Sequence, residues 1–91
     1  MIIVSHDAFN ETPGWNSMIV VPISTSAAQM RRGPTAVLLP SGAAGLRRES
    51  VALCHQVTTL DRAKLVERTG ELPGSALRAV EAGLRAALDL E

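Results

Sequence analysis

Three hydroxyls stand in a row at Ser24-Thr25-Ser26, where the apolar run Met18-Ile19-Val20-Val21-Pro22-Ile23 ends. Hydroxyls at a strand exit do one of two things. They satisfy backbone groups of the exit turn, or they donate a proton to a substrate oxygen on which charge develops. Two basic pairs, Arg31-Arg32 and Arg47-Arg48, fall in separate stretches rich in turn residues. Each is either part of a solvated loop or half of a phosphate-binding rim. The other reactive side chains are poorly spaced for chemistry. His6 precedes Asp7 and Cys54 precedes His55, but neighbours on a strand point to opposite faces, so neither pair chelates a metal. Cys54, the single cysteine, reads as a small buried hydrophobe rather than a nucleophile. No glycine-rich phosphate loop precedes a helix, and no cofactor is implied. Trp15, beside Pro13-Gly14, suits a core plug better than a stacking platform.

These residues need elements to hold them. Ile2-Ile3-Val4 is short and β-branched and reads as a strand, followed by a polar loop over 6–14. Residues 18–23 form the most strand-like segment, and Pro22, which cannot donate a ladder bond, marks a bulge, an edge or the strand's end. Further strands are predicted over 35–39 and 50–57. In the second, alternation puts Val51, Leu53, His55 and Val57 on one face and Ala52, Cys54 and Gln56 on the other. A helical turn is expected over 60–65, with Asp61 near its start, and a short last strand over 66–72. Residues 74–88 read as an amphipathic helix with Leu77, Val80, Leu84 and Leu88 on the apolar side. Gly83 in its middle costs about 1 kcal/mol of helix propensity unless close packing requires it. Several strands and then one helix predict an antiparallel sheet or small barrel with the helix packed on it.

Length and composition narrow the classes. Ninety-one residues make one domain, 1–91. Nine basic and nine acidic side chains cancel, which counts against non-specific coating of nucleic acid but leaves room for a local basic patch. One Phe, one Trp and no Tyr disfavour single-strand binding by a row of stacked aromatics. No signal-peptide pattern is visible and no apolar run approaches the ~20 residues of a membrane span. The chain reads as soluble and cytoplasmic, with no membrane partner.

Several segments taken in order resemble one family. They are Ile3-Val4-Ser5-His6-Asp7-Ala8-Phe9-Asn10, Ile19-Val20-Val21-Pro22-Ile23-Ser24-Thr25-Ser26, Arg48-Glu49-Ser50-Val51-Ala52, Gln56-Val57-Thr58-Thr59-Leu60, and the helix ending Ala87-Leu88-Asp89-Leu90. The chain is similar over residues 2–90 to the MazF/PemK (Kid) toxins of type II toxin–antitoxin systems. The resemblance implies a mainly β fold with a C-terminal helix, an SH3-like small barrel, and a homodimer. It implies a sequence-specific, metal-independent endoribonuclease that cuts single-stranded mRNA, and a cognate antitoxin whose acidic tail folds onto the toxin. In that family the RNA 2′-hydroxyl is the nucleophile, and the protein moves protons and stabilises the phosphorane. Ser24 falls at the family's catalytic Thr/Ser, with Thr25 the alternative if the register slips by one. Ser26, Ser50, His55 and Gln56 fall where the family contacts RNA or supports the site, and Arg31 and Arg32 lie in the next loop.

The chain departs from the family pattern at its start. Met1 stands where the residue after the family's Arg-Pro pair belongs, so the first strand and the catalytic arginine are missing from this sequence. A longer product begun upstream, a decayed remnant, or substitution by Arg31 or Arg32 would each account for it. An exposed sheet edge, and with it poor solubility, is expected. Two readings of another class stand beside the nuclease. One is a non-catalytic module that binds the antitoxin, and the other is a gyrase-binding toxin of the CcdB type, which shares the barrel.

Overall fold

The computed structural model describes residues 1–31, 33–64 and 70–90, with all their side chains except those of Phe9, Met30 and Ala44. The predicted last strand over 66–72 falls largely outside the described residues.

Two antiparallel sheets of three strands each carry the fold. In the first, β1 (Ile2–Ile3) and β6 (Thr58–Asp61) flank β2 (Ser17–Val21). In the second, β3 (Ile23–Ser24) and β4 (Ala36–Leu39) flank β5 (Ser50–Leu53). The predicted strand over 18–23 is therefore split between the sheets, and Pro22 is the reason. It has no N–H, so the ladder of β2 stops there, while its carbonyl accepts from the Leu53 N–H at 2.9 Å and hands the chain to the second sheet. The expected closed barrel is not formed, and no ladder joins the two sheets among the described residues. Strand β1 is one of the two outer strands of its sheet.

The segment over 50–57 departs from the predicted single strand. Strand β5 ends at Leu53, a 3₁₀ turn spans Cys54–Gln56, and β6 follows. The alternation expected to set the faces of His55 and Gln56 does not operate there. Strand β6, read in sequence as part of a helical turn, pairs with β2 from Ser17↔Asp61 to Val20↔Thr58. The turn itself is a 3₁₀ segment, Arg62–Lys64, and Asp61 Oδ1 accepts from the Ala63 N–H at 2.9 Å as a local cap. Within the predicted loop over 6–14 lies one short helix, α1 (Asp7–Asn10).

Helix α2 (Gly74–Leu88) has the predicted bounds. Its buried face is turned relative to the predicted one. Val80 and Gly83 are buried and Ala76, Leu84 and Ala87 pack beside them, whereas Leu77 is 40% exposed and Leu88 53% exposed. Gly83 sets this rotation. A Cβ there would stand 2.8 Å from Cys54 Sγ and 2.8 Å from Val37 Cγ2, so the helix meets the sheet at its smallest residue. The core between helix and sheets is Ile2, Val21, Leu39, Ala52, Cys54 and Val80. Among the described residues no helix is long and apolar enough to cross a membrane.

Candidate functional site

Ser24 ends β3, and its place follows from β5. Ser24 pairs with Val51 and Ile23 with Ala52, and across β5 Val51 pairs with Leu38 and Ala52 with Val37. Opposed residues of an antiparallel ladder share a face. Ile23, Ala52 and Val37 thus face the helix and the core. Ser24 lies with Val51 on the other face, the one that Gly83 and α2 do not reach.

The chain that leaves Ser24 returns to this sheet. The 3₁₀ turn Gln29–Arg31 folds back against β4 and β5. Val51 and Leu53 are buried although they point away from the core. The loop after the hydroxyl run therefore returns to the sheet that carries Ser24, and Arg31 at its end is exposed. Arg32 lies outside the described residues.

The hydroxyls form a small local network. The Ser26 N–H donates to Ser24 Oγ at 3.0 Å. This is the turn that sequence alone offered as the plain alternative to chemistry, yet it uses only a lone pair of Ser24. The hydroxyl proton meets no acceptor among the described residues, and Ser24 is half-buried, open on one side to solvent. Thr25 and Ser26 are exposed, and the strand has ended before them, so the strand alternation that would put Ser26 on the face of Ser24 no longer applies.

The other candidates divide. Ser50 is 2% exposed, and its hydroxyl donates to the Arg48 carbonyl at 3.0 Å. It is therefore not at the surface, and of the two roles the resemblance implies, contact with RNA or support of the site, its position suits support, since it holds the arginine loop from beneath. It points inward because it stands opposite Leu39, on the core face of the central strand. His55 and Gln56 are exposed in the 3₁₀ turn at the far end of β5 from that loop, and His55 Nδ1 lies 3.2 Å from Thr35 Oγ1. They are not brought together with Ser24. Cys54 is fully buried, its thiol is pushed up by desolvation, and it lies 3.6 Å from the Val80 carbonyl. It behaves as the predicted apolar side chain, inert as a nucleophile. Trp15 is 44% exposed and does not plug a core. Among the described residues no group of three His, Cys, Asp or Glu side chains converges as a metal would require.

Sequence reading missed Arg62. Its Nε donates to the Trp15 carbonyl at 3.1 Å, its Nη2 donates to the Asn10 carbonyl, and its own N–H donates to Asn16 at 2.6 Å. One side chain thereby ties the loop over 10–16 to the end of β6. Its acceptors are main-chain carbonyls some 50 positions away, which leave no mark in the local pattern.

Comparison with known proteins bears on the family and the fold. The family model for the PemK-like, MazF-like toxin of type II toxin–antitoxin systems matches residues 1–88. Endoribonuclease MazF2 of Mycobacterium bovis and endoribonuclease MazF6 of Mycobacterium tuberculosis are each 30% identical over 90 residues, 99% of this chain and 77% of theirs. The structure of the Mycobacterium tuberculosis toxin MazF-mt6 superposes with a TM-score of 0.83 at 26% identity, covering 99% of this chain and 85% of that one. A mycobacterial endoribonuclease solved in complex with its cognate antitoxin shares the fold at a TM-score of 0.80 and 23% identity, over 98% of this chain and 79% of that one. With the family model matching nearly the whole chain and the fold shared, this chain belongs to the PemK/MazF-like toxin family of type II toxin–antitoxin systems.

Proposed function

We propose that this chain is a sequence-specific endoribonuclease that cuts single-stranded mRNA without a metal ion, and that Ser24 is its catalytic hydroxyl. The observation that carries the reading is the match, across 99% of the chain, to proteins named endoribonucleases. It favours RNA cutting over gyrase binding. In the reaction proposed, the ribose 2′-hydroxyl gives up its proton as its oxygen bonds the adjacent phosphorus, the P–O5′ bond breaks, and the leaving 5′-oxygen takes up a proton, so that none is gained or lost overall. The products are a 2′,3′-cyclic phosphate and a 5′-hydroxyl. The nucleophile belongs to the substrate, so the protein has to stabilise charge on the non-bridging oxygens. Ser24 suits that task, since its oxygen is held by the Ser26 N–H and its proton is available to a phosphate oxygen. Arg31, exposed on the turn that packs back against β4 and β5, is the cation proposed to approach the phosphate, and Thr25 and Ser26 the hydroxyls proposed to bind beside it. His55 and Gln56 would meet only more distant nucleotides.

Membership of a toxin–antitoxin family supports a cognate antitoxin as the protein partner, and the reading includes a homodimer and a cytoplasmic place of action. The test is incubation of a long single-stranded RNA with the purified chain in EDTA. Cuts at a recurring short motif, with 2′,3′-cyclic phosphate ends, are expected. Intact RNA beside a chain that is folded by circular dichroism would overturn the reading and leave the non-catalytic, antitoxin-binding module.

A further inference from the structure

The β4–β5 connection, residues 40–49, holds two arginines that the site above does not use. We propose that Arg47 and Arg48 form a phosphate subsite that grips the RNA backbone one or two nucleotides from the bond cut at Ser24; the proposal rests on the RNA-cutting reading. Position comes first. Val51 is the ladder partner of Ser24, and Arg48 precedes Val51 by three residues. Three residues of extended chain span at most about 11 Å. Arg48 therefore stands at the end of β5 where Ser24 leaves the ladder, its Cα within about 11 Å of that of Val51, close enough to serve a phosphate beside the one at Ser24.

Two hydroxyls hold the backbone of the pair. Ser41 Oγ donates to the Arg47 carbonyl at 3.2 Å, and Ser50 Oγ donates to the Arg48 carbonyl at 3.0 Å. The loop is closed by its own main chain as well, with Gly42 N–H to the Leu46 carbonyl at 2.7 Å and Leu46 N–H to the Ala43 carbonyl at 2.9 Å. Both arginines are exposed, and neither side chain makes an ion pair or hydrogen bond among the described residues. Glu49, the one acid of the loop, is exposed and pairs with neither of them among those residues. Two unneutralised cations on a held backbone, in a chain of zero net charge, concentrate positive potential at one end of β5. The planar fork of arginine fits a phosphodiester in a bidentate way. A polyacidic peptide would be attracted by the same potential, and binding of poly-glutamate separates it from RNA.

The test is the salt dependence of binding to a 2′-deoxy copy of an RNA that the chain cuts, which binds without being cleaved, followed by fluorescence anisotropy. Each phosphate contact to a single strand contributes about 0.7 to the slope of log affinity against log salt. The double substitution Arg47→Gln, Arg48→Gln is expected to flatten that slope by about 1.4, so the advantage of wild type narrows about sevenfold between 50 and 200 mM salt. The charge-matched control Arg78→Gln, Arg85→Gln on α2 is expected to leave the slope unchanged. An unaltered slope in the first variant, or an equal flattening in the control, would overturn the proposal while RNA cutting stands. So would a loss confined to binding of poly-glutamate, which would assign the loop to an acidic protein partner. If wild type neither cuts the RNA nor binds the oligonucleotide, the RNA-cutting reading fails first and the subsite falls with it.

Discussion

The Ser26 N–H donates to Ser24 Oγ at 3.0 Å, so the turn that ends β3 also fixes the one hydroxyl proposed to touch the scissile phosphate. The bond occupies an acceptor lone pair and leaves the proton. A threonine presents the same oxygen from a stiffer side chain. Ser24→Thr is expected to keep cleavage within about tenfold of wild type, because the donor to the phosphate survives. Thr25→Ala, which leaves that donor in place, is expected to fall within the same range. Initial rates on one RNA substrate check both, and a loss larger than that of Ser24→Ala in either would move the catalytic hydroxyl elsewhere.

Helix α2 is seated on Cys54 and Val37 through Gly83, where a Cβ would meet two side-chain atoms at 2.8 Å. Gly83→Ala gains helix propensity of about 1 kcal/mol. It also forces apart two short side chains that have little room to swing, at a cost of about 1–3 kcal/mol. We expect net destabilisation, read as a fall in Tm of several degrees for a domain this small. A Tm equal to or above wild type would show that the helix has slack against the sheet.

Burial pushes the Cys54 thiol above its ordinary 9.0. Above pH 9 the unfolded chain gives up that proton while the folded chain keeps it. Stability from this group is therefore complete below about pH 9 and is lost as pH rises through the window up to the raised folded value. Urea unfolding at pH 8 and pH 10 is expected to show a larger drop for wild type than for Cys54→Ala. Equal drops in the two proteins would contradict the buried thiol.

Arg62 bonds the carbonyls of Asn10 and Trp15, so it governs how the loop with the only tryptophan is held. Arg62→Ala is expected to raise acrylamide quenching of Trp15 fluorescence without loss of the α2 helix signal. Arg62→Lys is expected to rescue little of it, since an ammonium lacks the fork that serves two carbonyls. Unchanged quenching in both would show that the loop is held by other contacts.

Much of this was legible in the sequence where the pattern is local. The bounds of α2, the strand over 36–39 and the apolar character of Cys54 all rest on periodicity or residue type. The misreadings share a cause, which is that a tertiary contact outvoted the pattern. Leu77 and Leu88 fit a helical stripe, but Gly83 packs closest and turns them outward. His55 fits an alternating strand, but the chain turns at Cys54 to reach β6. Ser50 looks like a polar strand residue, but it lies opposite Leu39 on a strand buried on both faces. Within the candidate site, the hydroxyl run stood out at once. The return of the Gln29–Arg31 turn over β5 did not, because no residue in that loop encodes the sheet it lands on.

The most direct test is the rate of RNA cleavage by Ser24→Ala beside wild type, in EDTA, on the same long single-stranded RNA. Removing one donor to a developing oxyanion costs about 10²–10³ in rate, and Ser24 has no part in the buried core, so the variant is expected to remain folded and lose activity by that factor. Cleavage at the wild-type rate and motif by a folded Ser24→Ala protein would contradict the assignment of Ser24.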